Sequence, residues 1–103
     1  MPLKHINATE AKRLVDDGAI LIDVREHGEY AAENIPGARN HPMSRMGHGP
    51  LEFDAPVIVF HCKSGGRTRM GAQALANCTR AEAYILDGGI EAWKAAGLPI
   101  KRG

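Results

Sequence analysis

The sequence predicts an α/β fold, a parallel sheet with helices on both faces, and three observations carry that prediction. Short apolar runs at 19–22, 57–60 and 83–86 hold only apolar or tyrosine side chains, the pattern of strands covered on both faces. Segments of helical spacing, marked by helix-start and helix-stop residues, lie between them. Strands that alternate with helices favour parallel pairing, because each return crossing needs the length a helix provides.

The elements follow in order. Asn7-Ala-Thr-Glu10 sets an N-cap residue three positions before an acid, the spacing of a capping box. The helix it opens has Ala8, Ala11, Leu14 and Val15 as its apolar stripe and Gly18 as its stop. Ala19-Ile-Leu-Ile22 reads as a buried strand ended by Asp23. A second helix is expected over 26–34, closed by Ile35-Pro36-Gly37. Gly47, Gly49, Pro50 and Pro56 break any period across 43–56, where the spacing supports at most one helical turn, from Met43 to Met46.

Val57-Ile-Val-Phe60 is the clearest strand of the chain. Thr68 to Asn77 is expected as a helix, with Met70, Ala74 and Leu75 available for its inner face. Gly71 stands inside it at a cost of about 1 kcal/mol relative to alanine, and close packing against the sheet is the expected reason. Ala83 to Leu86 is a further strand. Ile90 to Ala96 is a last helix, ended by Gly97 and Pro99, with Trp93 in the core and Gly88-Gly89 as the turn that leads in. Asp23, Cys62 and Asp87 all fall just past predicted strands, the rim where α/β sheets collect function.

A chain of 103 residues is expected to form a single domain, 1–103, with an ordinary hydrophobic core. Its 13 basic and 12 acidic side chains leave a formal charge of +1, which argues against a nucleic-acid or membrane partner. No apolar run approaches the length of a membrane span, and the opening residues lack the apolar centre of a secretion signal. The expected address is cytoplasmic. His5, His27, His41 and His48 show no metal-ligand spacing, so neither metal nor cofactor is expected. A helix over 67–77 would hold Cys62 and Cys78 roughly 16 Å apart, at ~1.5 Å per residue. A disulfide needs Cα atoms within about 7 Å, so both thiols are expected to be free.

The most informative stretch is Phe60-His-Cys-Lys-Ser-Gly-Gly-Arg-Thr68. A buried strand ends in a cysteine, a glycine-rich loop follows, and the loop closes where a helix begins. Glycines at 65 and 66 let successive N–H groups curl inward as an anion nest. Arg67 offers a charged donor, the helix adds its dipole, and Ser64 and Thr68 offer hydroxyls. Together these lower a thiol pKa from about 8.5 toward neutrality and hold an anion above the sulfur. Cys62 is therefore the expected nucleophile. Cys78 has no such surroundings and reads as a core residue. His61, next to Cys62 on a strand, points to the opposite face and reads as a partly buried histidine, not a base. Asp23 and Arg25 read as structural: Arg25 pairing with Glu29 four residues on, Asp23 capping the helix that follows.

Three stretches together resemble the rhodanese (thiosulfate sulfurtransferase-like) family. They are Leu21-Ile-Asp-Val-Arg-Glu26 with Glu29-Tyr30 and Asn34-Ile-Pro-Gly-Ala38, then the loop Cys62 to Thr68, then Leu86-Asp-Gly-Gly-Ile90 with Ala92-Trp93 and Gly97-Leu-Pro99. Their order and spacing run from about Ile6 to Pro99. The resemblance implies a rhodanese-like sheet of about five parallel strands and a persulfide enzyme. In it Cys62 takes the outer sulfur of thiosulfate or a persulfide donor, then passes it to cyanide, a small thiol or a protein thiol. Lys63, Ser64, Gly65, Gly66, Arg67 and Thr68 would bind the donor and the persulfide, with Lys63 on the sulfonate end and Gly88-Gly89 near the pocket mouth. The family's sulfurtransferases use a six-residue loop and its related phosphatases a seven-residue one. Cys62 through Arg67 is six, which disfavours a phosphatase. The glycine-rich segment 43–55 is shorter than the connector of many members, which implies an open site able to accept a protein. The alternative to a small-molecule enzyme is a relay that carries persulfide between proteins, or a regulatory rhodanese module, with little activity on free thiosulfate.

Overall fold

The computed structural model describes residues 3–45 and 55–102. In chain order its elements are β1 (Lys4–Ile6), α1 (Ala8–Asp16), β2 (Ile20–Asp23), α2 (His27–Ala32), β3 (Glu33–Asn34) and β4 (Arg39–Asn40), followed by a 3₁₀ turn at Met43–Arg45. After it come β5 (Val57–His61), α3 (Gly66–Met70), α4 (Ala72–Asn77), β6 (Glu82–Leu86), α5 (Gly89–Ala95) and β7 (Lys101–Arg102). Five strands form a sheet in the order β1-β6-β5-β2-β4, every pairing parallel. Helices lie on both sides, as the alternation implied. β3 and β7 pair antiparallel in a separate ribbon.

Strand alternation divides the core into two layers. Leu21 of β2, Val59 of β5 and Leu86 of β6 face one side, against Ala8 and Ala11 of α1 and Ile90 and Trp93 of α5. Ile22, Ile58 and Phe60 face the other, where Leu75 of α4, Cys78 and Cys62 complete the layer. β5 is thus apolar from Val57 to Phe60 because it is covered on both faces. Its even-numbered side chains continue directly to Cys62.

The first helix begins as its capping box requires: Glu10 N–H donates to Asn7 Oδ1 at 2.8 Å, and Asn7 N–H to Glu10 Oε1 at 3.4 Å. Trp93 is buried and donates its indole N–H to Pro99 O at 2.8 Å, tying the last helix to the chain that leaves it.

Several expectations change. The second helix ends at Ala32, because Glu33 and Asn34 leave helical geometry to pair with β7. The helix expected over 68–77 is two helices, parted at Gly71. A Cβ there would lie 2.7 Å from Met43 Cε, so the glycine makes room for a side chain from the 3₁₀ turn. With the break, Met70 is 92% exposed and Ala74 is exposed too, and Leu75 alone of the three meets the sheet. The one-turn expectation at 43–46 holds for Met43–Arg45, while Met46 and most of the 43–55 segment lie outside the described residues.

Candidate active site

Because all five strands are parallel, their carboxyl ends form one rim, and Asp23, Cys62 and Asp87 stand on it. Asp23 and His61 are register partners at the ends of β2 and β5, and Cys62 is the next residue. Asp87 turns away toward the sheet edge, where His5 Nδ1 lies 2.6 Å from its Oδ1.

Cys62 is 1% exposed and opens the loop to α3. Gly65 takes φ of +99°, a left-handed conformation open to glycine, and its N–H points at Cys62 Sγ from 3.1 Å. Thr68 lies under the loop, fully buried. Its Oγ1 donates to Gly65 O at 3.0 Å and stands 3.8 Å from the sulfur. Burial pushes the Cys62 thiol up, but hydrogen bonds from Thr68, Gly65 and the Arg67 backbone outweigh it, and the net displacement is downward. Cys78 moves the opposite way: burial raises its thiol, and its sulfur donates to Leu75 O at 3.0 Å. Both thiols are free.

The loop is clasped from behind by the start of α5. Ile90 N–H donates to Cys62 O at 2.9 Å and Glu91 N–H to Lys63 O at 3.0 Å. Lys63 and Ser64 are exposed at the tip, Gly66 half-buried at the start of α3. The structure thus sets Gly65, the Arg67 backbone and Thr68 around the sulfur, with Lys63 and Ser64 at the loop tip and Gly88-Gly89 as the backing turn.

Asp23 and Arg25 make a different pair from the one expected. Arg25 Nε and Nη2 grip Asp23 at 3.0 and 2.7 Å, and Arg25 Nη2 also donates to Glu33 O at 2.6 Å. Asp23 Oδ1 accepts the Arg25 backbone N–H at 2.9 Å, closing a turn two residues long instead of capping a helix. Its distance from α2 explains this: the helix starts only at His27, with Glu26 as its N-cap. Glu29 serves another partner. Its carboxylate receives both arms of Arg67, Nη1 at 2.6 Å and Nη2 at 2.8 Å. Sequence reading missed this pair, since 38 positions separate the two residues.

His61 is fully buried beside this network. Its Nδ1 lies 3.2 Å from Cys62 O, and its Nε2 is 3.8 Å from Asp23 Oδ2 without a hydrogen bond. Burial holds its pKa down more strongly than Asp23 raises it, which favours the neutral ring. Among the described residues no group of three acidic, histidine or cysteine side chains gathers as a metal site, and no helix is long and apolar enough to cross a membrane.

A family model for the rhodanese-like domain matches residues 7–96, which spans the rim, the cysteine loop and the backing turn. The chain belongs to the rhodanese-like domain family. Among relatives of this rhodanese-like chain is the thiosulfate sulfurtransferase GlpE of Ectopseudomonas mendocina, 36% identical over 96 residues, 89% of this chain and 85% of that one. An uncharacterized protein of Synechocystis is 37% identical over 84 residues, 81% of this chain and 47% of its own length. The solved thiosulfate sulfurtransferase of Pseudomonas aeruginosa superposes with a TM-score of 0.85 at 29% identity, over 98% of this chain and 20% of its own. The chain thus spans nearly all of one such relative, and half or less of the other two.

Proposed function

We propose that this rhodanese-like chain is a sulfurtransferase working through a persulfide on Cys62. The observation that carries the reading is the set of donors around Cys62 Sγ: the Gly65 N–H at 3.1 Å, with the Thr68 and Arg67 backbone N–H groups and the Thr68 hydroxyl favouring the thiolate. A thiolate is the nucleophile of sulfur chemistry. It attacks the outer sulfur of thiosulfate, forming the Cys62 S–S bond as the S–S bond of the donor breaks, and sulfite leaves with the electron pair. The enzyme then holds an anionic persulfide. Cyanide or a thiolate attacks the terminal sulfur, the new S–S bond breaks, and Cys62 recovers its thiolate as thiocyanate or a new persulfide departs. One transfer becomes two easier ones.

In this reading the residues divide by position. Gly65, Gly66, Arg67 and Thr68 hold the sulfur anion through backbone N–H groups, in the manner of an oxyanion hole. Lys63 and Ser64, exposed at the loop tip, meet the sulfonate end of the donor. Asp23 and Arg25 brace the rim behind the loop. No metal or organic cofactor enters, since each half-reaction is a displacement at sulfur by an anionic nucleophile. A reducing cytoplasm suits a free, acidified thiol. Residues 1–103 act as one domain in this scheme.

The test is the intact mass of the reduced protein after brief exposure to thiosulfate, beside the Cys62→Ser variant. A gain of one sulfur atom, lost on adding cyanide and absent from the variant, is expected. A folded, reduced protein that gains no sulfur from thiosulfate but does so from a persulfidated protein is a relay, not a thiosulfate enzyme.

A further inference from the structure

The charges around the cysteine loop are arranged unlike those of an anion-binding site. Among the described residues every donor bonded to the Cys62 sulfur is uncharged, and the Arg67 guanidinium at the end of the loop is closed by Glu29. Glu29 is itself held in place. It sits in the first turn of α2, where Oε1 also accepts the Glu26 N–H at 3.3 Å, so one carboxylate is fixed by a helix start and by both arms of an arginine. Its acidity agrees with that bonding: chiefly through the Arg67 hydrogen bond, its pKa is lowered to about 2, so the pair stays ionised throughout the neutral range. Lys63, exposed at the tip, is the loop cation that Glu29 leaves alone.

We propose that Glu29 is a positioning residue that sets the anion preference of the loop by occupying the Arg67 fork. It rests on the reading of this loop as the sulfur-transfer site, and adds to it a filter. A planar guanidinium matches the paired oxygens of phosphate, sulfate or sulfite, and a bidentate, charge-assisted contact is the strong way to hold them. With that fork taken by a carboxylate, a tetrahedral oxyanion over Cys62 finds neutral N–H groups and one flexible lysine. A singly charged persulfide needs no more than the N–H groups. The loop therefore holds transferred sulfur and releases oxyanions, including the sulfite it produces.

The test uses the free thiol, so it is independent of sulfur turnover. The rate of Cys62 alkylation by iodoacetamide is followed against increasing inorganic phosphate at constant ionic strength, in the wild type, Glu29→Gln, Glu29→Ala and Glu29→Gln/Arg67→Gln. Releasing the fork should lower the phosphate concentration for half-protection about tenfold in both single variants, the scale of one recovered charge-assisted contact. The double variant should return to the wild-type value, which a merely structural role for Glu29 does not predict. In thiosulfate turnover, Glu29→Gln should lower KM without raising kcat, because sulfite is held longer. Unchanged phosphate protection in both folded single variants, or protection that persists in the double variant, overturns the proposal. Failure of thiosulfate turnover in the wild type overturns thiosulfate as the donor and leaves the phosphate result to judge Glu29 alone.

Discussion

Gly89 packs its bare Cα against the carbonyl of Cys62: a Cβ built there would lie 2.3 Å from that oxygen and 2.7 Å from Lys63 C and O. The same carbonyl accepts the Ile90 N–H, so the turn into α5 sets the height of the loop. The loop backbone cannot yield as the end of a flexible side chain could. Gly89→Ala should therefore destabilise the fold by about 1–3 kcal/mol, the range of overpacking, and should misplace the donors around the sulfur. Urea unfolding gives the first quantity, and the pH at which Cys62 is alkylated gives the second. A variant with unchanged midpoint and unchanged alkylation would show that the clasp does not shape the site.

The two thiols are displaced in opposite directions, Cys62 downward and Cys78 upward. A lowered pKa leaves more thiolate at a given pH, so Cys62 should react with iodoacetamide at pH values where Cys78 is silent. Peptide mapping after limited alkylation at neutral pH should place the label on Cys62. Cys78→Ala should keep sulfur transfer close to wild type, while Cys62→Ser removes it. Loss of transfer in a folded Cys78→Ala protein would contradict a single-thiol mechanism.

Asp23 and Arg25 form an ion pair shut away from water, with side chains 0% and 5% exposed. Removing one partner of such a pair strands a buried charge, at a typical cost of about 3–5 kcal/mol. Asp23→Ala should approach that loss, because among the described residues the Arg25 guanidinium would keep the Glu33 carbonyl as its one hydrogen-bond partner. Chemical denaturation checks it. A loss below about 1 kcal/mol would mean that water reaches the arginine.

The cysteine loop was legible because its information is local: a buried strand, two glycines and a helix start are adjacent in sequence. The strands β2, β5 and β6 were legible for a related reason, since burial on both faces leaves an apolar run. β1 was not. As an edge strand it exposes Lys4 and His5 and buries only Ile6, so it carries no apolar run. β3, β4 and β7 are two residues each, too short for a period of two to be recognised. The ion pairs were misread where the partner was remote. Arg25 has an acid at the helical spacing, Glu29, but folding brings Arg67 to Glu29 and leaves Arg25 with Asp23. Gly71 was correctly marked as a close approach, yet the approach is by Met43, and the helix break it causes turns Met70 to solvent.

Two groups should give the protein an acid-side loss of stability in separate steps. His61 has its folded pKa lowered from 6.5, chiefly by burial. The unfolded chain therefore binds a proton near 6.5 that the folded chain refuses, and stability falls as pH drops through that value toward the folded pKa. Glu29 is lowered from 4.5 to about 2 by its bond to Arg67. Its contribution is complete above about pH 4.5 and is lost as pH falls toward 2. Unfolding midpoints in urea between pH 8 and 3 separate the two. His61→Gln should flatten the curve between pH 7 and 5 and leave the lower limb. Glu29→Gln should leave the upper limb and flatten the lower. If His61→Gln instead keeps the full slope above pH 5, the ring titrates alike in the folded and unfolded chains, and its assignment as a neutral buried histidine is wrong.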